Sequence, residues 1–512
     1  MIRLLRSVSV GVFSVACVLG LSAADVLSAE PATMKAGFAE RDITPDIGME
    51  QPGGYGKSFH RTLHDPCKVR AAVFDDGTKR VALVGIDALV IHRAQVLAAR
   101  KAIRERSGIE PEAVLVAASH SHSSGPTGMI LPGQYDHADE FVRSLAYEQS
   151  SCADAGYLEK VVQAIVDAVC EADRSRVEAR CGVASGIEDQ VAFNRRFRMK
   201  NGLSHTHPGQ GNPEIIEPAG PTDPEVGVIG AWNAEGKLIG CVVNFACHAT
   251  TSPGGISANY IYYVEQAIRG GMMADDCVVV FTAGASGDVT QVDNLSPYRH
   301  PAGEHWARLL GGRVGAEAVK VLLSMEPGVL VPVAGRVKAW NSKRRVPHPE
   351  RVKRCYELAK KTPQEVGGVE WTFAKEIVLL DAMIAKEPEV EVEVQAVQVG
   401  PAVFITDPAE YFCQFGLDIK AGSAFPFTFP VSLANGCVGY VPTEEALGEH
   451  GGGYETRLTS YSNLEPTAGR QMVDAGLELA RQLTPGEVPT PPPAPPFGGQ
   501  GWGYGNVPPE VE

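Results

Sequence analysis

Beyond its first two dozen residues the sequence has no apolar run that approaches membrane-spanning length, so no transmembrane anchor is expected in a mature chain. A basic stripe is also missing. The formal charge of −15 is spread widely, and no cluster of Lys and Arg stands ready to neutralise phosphates, which argues against a nucleic-acid partner. The short run Lys343-Arg344-Arg345, with Arg351, Lys353 and Arg354 after it, reads as a solvated helix face. There is no phosphate loop, and no dinucleotide-type glycine loop follows a first strand. No Gly-X-Ser-X-Gly elbow appears either, because Ser286 within Gly284-Ala285-Ser286-Gly287 has the wrong spacing. None of the 11 cysteines falls at metal-knuckle spacing, and no internal repeat is found.

What remains is a chain of 512 residues with 44% hydrophobic and 21% charged content, an ordinary globular balance. That length calls for two lobes or one large elaborated domain. Residues 1–24 read as a secretory signal: Arg3 and Arg6 open it, Val8–Leu21 is apolar, and Ser22-Ala23-Ala24 suits cleavage before Asp25. The protein is therefore expected in the periplasm or outside the cell. Export permits disulfides, but the scattered cysteines give no pairing; Cys241, Cys247 and Cys277 read as packed thiols.

Helical periodicity marks Arg93–Arg106, Tyr157–Ala172, Ile261–Arg269, Trp306–Leu323 and Thr467–Leu483. Residues 343–386 read as a charged, mostly helical insertion. The stretch 200–236, rich in Gly, Pro and Asn, reads as a long ordered loop or lid. Val390–Val399 alternates apolar and polar residues as far as Ala396, as a half-buried strand does. From Thr484 to the end, Pro and Gly dominate, and an extended tail is expected.

Four apolar, strand-like runs stop abruptly at residues with chemistry. Ala113–Ala118 leads into Ser119-His120-Ser121-His122, and Ile239–Ala246 into Cys247-His248. Cys277–Phe281 leads into a turn ending at Asp288, and Ala402–Ile405 into Thr406-Asp407-Pro408-Ala409-Glu410. An α/β scaffold assembles an active site from such strand ends. His120 and His122 can converge on one ion, or bond to carbonyls as ordinary loop histidines. With His248 and Glu410 they could form a His/His/Glu set around zinc that leaves room for a water. Taken alone, Tyr440 is a packing or hydrogen-bonding tyrosine. Asp288 could orient a histidine, hold a turn or bind an ion. Arg195, in Asn194-Arg195-Arg196, is a cation for a carboxylate or oxyanion, or one half of a salt bridge.

Five segments together resemble the amino-terminal catalytic domain of the neutral/alkaline non-lysosomal ceramidases. They are Gly-Phe-Ala-Glu-Arg-Asp-Ile-Thr-Pro (37–45), Ser-His-Ser-His-Ser-Ser-Gly-Pro (119–126), Asn-Phe-Ala-Cys-His-Ala-Thr (244–250), Gly-Asp-Val (287–289) and Gly-Tyr-Val-Pro-Thr (439–443). The resemblance covers about residues 36–483. It implies a zinc amidohydrolase with one Zn2+ on His120, His248, Glu410 and Tyr440. It further implies that His122 meets the substrate or the developing oxyanion and that Arg195 helps hold the substrate. Departures from the family pattern fall elsewhere. Gly284 stands where the family places a serine, Asn259 where it places an aspartate, and Tyr260-Ile261-Tyr262 where it has Tyr-Pro-Gly. The family's carboxy-terminal immunoglobulin-like domain has no expected counterpart.

The expectation is an α/β fold, one large elaborated domain over 36–483 with a mixed sheet flanked by helices and its active site at strand ends. The expected reaction is hydrolysis of an amide in an N-acyl substrate, small or lipid and ceramide-like at the limit, with peripheral membrane contact as the route to a lipid. Asp288 would orient a neighbour. The competing readings are a zinc hydrolase of another small amide, ester or lactone, and a non-catalytic envelope binding protein.

Overall fold

The structure, a computed structural model, describes residues 34–499, 501–504 and 507–511, so the leader expected over 1–24 lies outside the described residues. Eight strands form the larger sheet: β1 (Lys35–Asp42), β2 (Lys68–Asp75), β3 (Arg80–Ile86), β4 (Val114–Ala118), β5 (Val177–Ile187), β6 (Glu225–Asn233), β7 (Leu238–Phe245) and β8 (Val278–Ala283). Their spatial order is β8-β7-β6-β5-β1-β2-β3-β4. Only the two outermost pairs, β7/β8 and β3/β4, are parallel. The hairpin between β2 and β3 is set by turn chemistry: Asp75 and Asp76 side chains accept from the N–H groups of Gly77, Thr78 and Lys79.

The sheet coils so that β8 packs across β2 and β3. The strands of both ends are consequently covered on both faces, which is why β4 is wholly apolar and β8 is apolar except for Thr282, rather than alternating. Helices complete the layers. Ala155–Arg174 lies on β1 and β2, and Glu304–Ser324 lies on β5 and β6 with Tyr260–Met272 against it. A second sheet holds β9 (Val333–Lys343), β10 (Glu389–Val399), β11 (Ala402–Thr406) and β12 (Phe427–Val431), in that order, with β11/β12 parallel. The fold is thus α/β with a large mixed sheet between helices, as expected.

Two local expectations need revision. The strand over 390–399 is not half-buried: β10 is buried from Val392 onward. The helix Ala468–Arg481 covers one side, and β3 and β4 meet the other. Its polar residues survive burial by pairing. Glu393 takes a bidentate bond from Arg100, and Gln395 donates to the carbonyls of Glu112 and Val114. The stretch 200–236 is not a lid. It contributes two short strands to a small sheet and then the core strand β6, whose Gly227 and Gly230 dilute the apolar signal. The run Ala402–Ile405 ends where expected, at Thr406, and Glu410–Tyr411 pairs separately with Tyr440–Val441.

Within 343–386 the chain forms the helices Pro349–Ala359, Pro363–Val366 and Gly368–Lys386. The described part of the tail forms neither helix nor strand. Its start docks on β10, where Gln398 donates to the Thr484 carbonyl and Gly486 N–H to Gly400 O. Among the described residues no helix is long and apolar enough to cross a membrane, and all ten described cysteines are free.

Candidate metal centre

The C-terminal ends of β4, β7, β8, β11 and β12 meet at one place, because the two sheets are stitched there by backbone. Ala118 N–H donates to Leu433 O, Ser432 N–H to Ala283 O, and Asn435 N–H to Val116 O. Asn435 strengthens the seam: its Oδ1 accepts from Val116 N–H at 3.0 Å and its Nδ2 donates to Gln395 Oε1 at 2.7 Å. The strand ends therefore present their terminal side chains to a common point rather than to separate patches of surface.

At that point His120, His122, His248 and Glu410 converge. His120 is turned inward by a left-handed backbone, φ +62°. Its Nδ1 donates to Leu89 O at 3.0 Å, and His248 Nδ1 donates to Ser286 O at 2.6 Å. Each bond fixes the tautomer and leaves the Nε2 lone pair pointing inward. His120 Nε2 lies 3.2 Å and His248 Nε2 3.3 Å from the same oxygen, Glu410 Oε2. His122 Nε2 lies 3.2 Å from His120 Nε2. The ligand nitrogens of the three histidines all lie within 4.8 Å of one another, so the cluster is capable of coordinating a metal ion.

The donor set fits such an ion. Two lone pairs and a carboxylate oxygen face each other in a buried space, and neither His248 Nε2 nor Glu410 Oε2 has a hydrogen-bond partner. Three acceptors without a proton between them repel unless a cation sits among them. The spacing agrees as well. Four tetrahedral donors at about 2.0–2.1 Å from a zinc ion are about 3.3 Å apart, edge to edge. Burial lowers the His248 pKa to about 3, with Arg195 adding to the effect and Glu410 opposing it. Burial, then the charges of His120 and His248, holds His122 well below its usual value. These rings are neutral at neutral pH, the form in which imidazole binds metals.

Tyr440 pairs with Glu410 along the backbone, and its hydroxyl accepts from Arg195 Nη2 at 3.0 Å and meets Tyr454 Oη at 3.3 Å. Burial, followed by the Glu410 charge, raises its pKa well above the ordinary phenol value. Arg195 is buried and locked, its Nε on Glu455 Oε1 and its Nη2 on Gly287 O, each at 2.8 Å. Asp288 does not join the cluster. Its oxygens accept from Asn194 Nδ2 and Cys413 N–H, both at 2.8 Å, and its carbonyl accepts from Arg195 N–H. It fixes the turn after β8, to which Arg195 and His248 are hydrogen-bonded.

Two departures from the ceramidase pattern are absorbed locally. A Cβ on Gly284 would lie 2.9 Å from Ala246 Cβ, so a side chain there crowds the strand that leads to His248. Asn259 has a positive φ of +63°, and its Oδ1 accepts from Thr251 and from Tyr260 N–H, closing the loop after His248.

The cluster sits in a cavity of about 820 Å³. Leu89, Met129, Ile130 and Val438 line it, and Phe373 and Met383 of the helix Gly368–Lys386 supply another wall. The charged insertion is therefore part of the cavity. Over His122 runs the strap Gln51–Ser58. Gln51 Nε2 donates to His122 O at 2.9 Å, Gly53 lies against the His122 ring, and Tyr55 Oη meets Tyr461 Oη at 2.6 Å. The sequence marked Gly53-Gly54-Tyr55-Gly56 only as a turn, and Glu455, the partner of Arg195, was not singled out. The glycine run 451–453 directly before Tyr454-Glu455 is the one signal that could have drawn attention to it.

The chain is 25% identical over 321 residues to the neutral ceramidase of Pseudomonas aeruginosa, a match covering 59% of this chain and 44% of that relative. Over that stretch the chain is similar to a neutral ceramidase. No family model matches it. The crystal structure of neutral ceramidase from Pseudomonas aeruginosa superposes with a TM-score of 0.66 at 20% identity, covering 91% of this chain and 77% of that one. A ceramidase complexed with C2 gives 0.63 at 19% identity, with the same coverage. The ceramidase fold thus extends over nearly all of the chain, while the sequence match spans less than half of the relative's length.

Proposed function

We propose that the chain is a zinc-dependent amidohydrolase that cleaves an N-acyl substrate. The observation that carries this reading is the convergence of His120 Nε2, His248 Nε2 and Glu410 Oε2 at tetrahedral spacing inside a largely apolar cavity. The likeness to a protein named neutral ceramidase supports the amide bond as target. His120, His248 and Glu410 would hold the ion, with Tyr440 as the fourth protein group of the set. When bound, such an ion lowers the pKa of a water and polarises a carbonyl.

The chain's own residues do the rest. His122, neutral at working pH, presents Nε2–H as a hydrogen-bond donor to the oxyanion that develops on the substrate carbonyl. Arg195, whose charge is balanced by Glu455, fixes the Tyr440 hydroxyl and holds the polar end of the substrate. Asp288 positions Arg195 through the turn rather than through the substrate. Neither Gly284 nor its neighbours offer a hydroxyl where the family places a serine, which favours an N-acyl amide other than ceramide itself. Leu97 and Tyr55 line the cavity and are exposed, a route for peripheral contact with a membrane surface. Export is proposed on the leader over 1–24 alone.

Metal analysis of the purified protein against His248→Ala and Glu410→Gln tests the reading. The wild type should carry about one equivalent of zinc and each variant little. Less than about half an equivalent of any transition metal in the wild type would refute it.

A further inference from the structure

A second cleft, of about 240 Å³, shares no lining residue with the cavity of the metal-capable cluster. The helix Glu304–Ser324 forms one wall, and the loop 293–301 that leads into this helix forms another. The loop is held in shape by its own polar groups. Asp293 Oδ1 accepts from Leu295 N–H at 2.9 Å, and the Asp293 carbonyl accepts from His300 Nε2 at 2.7 Å, which ties the two ends of the loop together. From outside, Gln210 Nε2 donates to the carbonyls of Ser296 and Tyr298. The His300 ring stacks on Trp306 of the helix, with centroids 5.4 Å apart and planes 27° from parallel.

This frame presents groups to the cleft that the fold does not use. The rings of Phe193, Tyr298, His300 and Trp306 line it, and Tyr298 is 78% exposed. Among the described residues Trp306 Nε1, Tyr298 Oη and the Arg299 guanidinium donate to nothing, while Asp293 Oδ2 and His300 Nδ1 accept from nothing. None of these atoms is sealed from solvent, so a ligand can reach all of them. Arg299 and Asp293, opposite in charge, line the same cleft without forming an ion pair with each other.

Donors and acceptors of both kinds around aromatic rings restrict the guest. An apolar guest would desolvate five polar groups and pair none. An anion or a cation would be drawn to one of Arg299 and Asp293 and repelled by the other. A zwitterion such as a free amino acid would satisfy those two and leave the Trp306 N–H, the Tyr298 hydroxyl and His300 Nδ1 without partners. A sugar ring meets every requirement. Its C–H faces pack on aromatic rings, and each hydroxyl of its rim both gives and takes a hydrogen bond. We propose that this cleft is a binding site for a neutral pyranose sugar. The site is separate from the metal-capable cluster and does not depend on the amidohydrolase reading.

Saturation-transfer NMR on the full-length protein tests this, with the methyl pyranosides of glucose, galactose, mannose and N-acetylglucosamine as probes. At least one should bind saturably, with a Kd on the order of 1 mM, and the C–H protons of one ring face should receive the most saturation. Sorbitol, which has the hydroxyls but no ring, and phenylalanine, a zwitterion with an apolar side chain, should bind at least about tenfold more weakly. Arg299→Ala should weaken the best pyranoside about three- to tenfold at an unchanged melting temperature, because Arg299 holds nothing in the fold. Trp306→Phe keeps a ring against His300 and removes only the indole N–H and part of the face; it should cost a similar factor. Metal content and amide hydrolysis should be unaltered in both variants. No saturable binding of any pyranoside up to about 20 mM, an affinity unchanged in both variants, or sorbitol or phenylalanine bound as tightly as the best pyranoside would overturn the proposal.

Discussion

Gly53→Ala probes the role of His122 without removing a polar atom. Gly53 has φ +92°, and a Cβ there would lie 2.2 Å from His122 Nδ1 and 2.8 Å from its Cγ. Ordinary contact begins at 3.4 Å, so the ring and the strap must separate by more than an ångström. Displacing a group at the reacting centre by about 1 Å costs on the order of 10²-fold in rate. A second, smaller effect is the backbone strain of a Cβ in the left-handed region, about 1–2 kcal/mol. Gly48→Ala separates the two. Gly48 has φ +98° but nothing within 4 Å of its Cβ, so it carries similar strain and no collision. Both variants should therefore melt at similarly reduced temperatures, while only Gly53→Ala loses about a hundredfold in kcat/KM for amide hydrolysis. Metal content should stay near that of the wild type, since His120 and His248 are anchored on Leu89 and Ser286 carbonyls that the strap does not touch. Elemental analysis, thermal melts and steady-state rates read the three quantities. If the two variants agree within about threefold in rate, His122 has no part in the chemistry. Joint loss of metal and rate in Gly53→Ala would instead make His122 a ligand.

Three further outcomes are expected. Asn435→Ala should destabilise the protein by about 2–4 kcal/mol in chemical denaturation, because it strands Val116 N–H and Gln395 Oε1 and puts alanine at φ +61°; a loss under about 1 kcal/mol would show that the seam is not held there. His92 donates from Nε2 to Gly128 O at 2.8 Å, and burial pulls its pKa below the usual value. The unfolded chain takes up a proton near pH 6.5 and the folded chain does not, so this contribution is complete above about pH 6.5 and declines below it, by up to about 1.4 kcal/mol per pH unit until the folded pKa is reached. His92→Gln should flatten that part of the stability profile, and parallel profiles would contradict the assignment. Finally, native-state alkylation should reach only Cys152 and Cys437, the two described cysteines that are not fully buried; rapid modification of Cys247 would mean that the strand end carrying His248 opens readily.

The cluster was readable in the sequence for a physical reason. Strands covered on both faces are nearly all apolar, so the short polar stretch after each run marks where the chain leaves the core, and His120, His248 and Glu410 lie in those stretches. Periodicity fails where burial and polarity coexist. Glu393 and Gln395 look like the solvent face of a strand until Arg100 and the carbonyls of Glu112 and Val114 are seen to neutralise them. Reaction type is written in strand ends, where position alone constrains the residue.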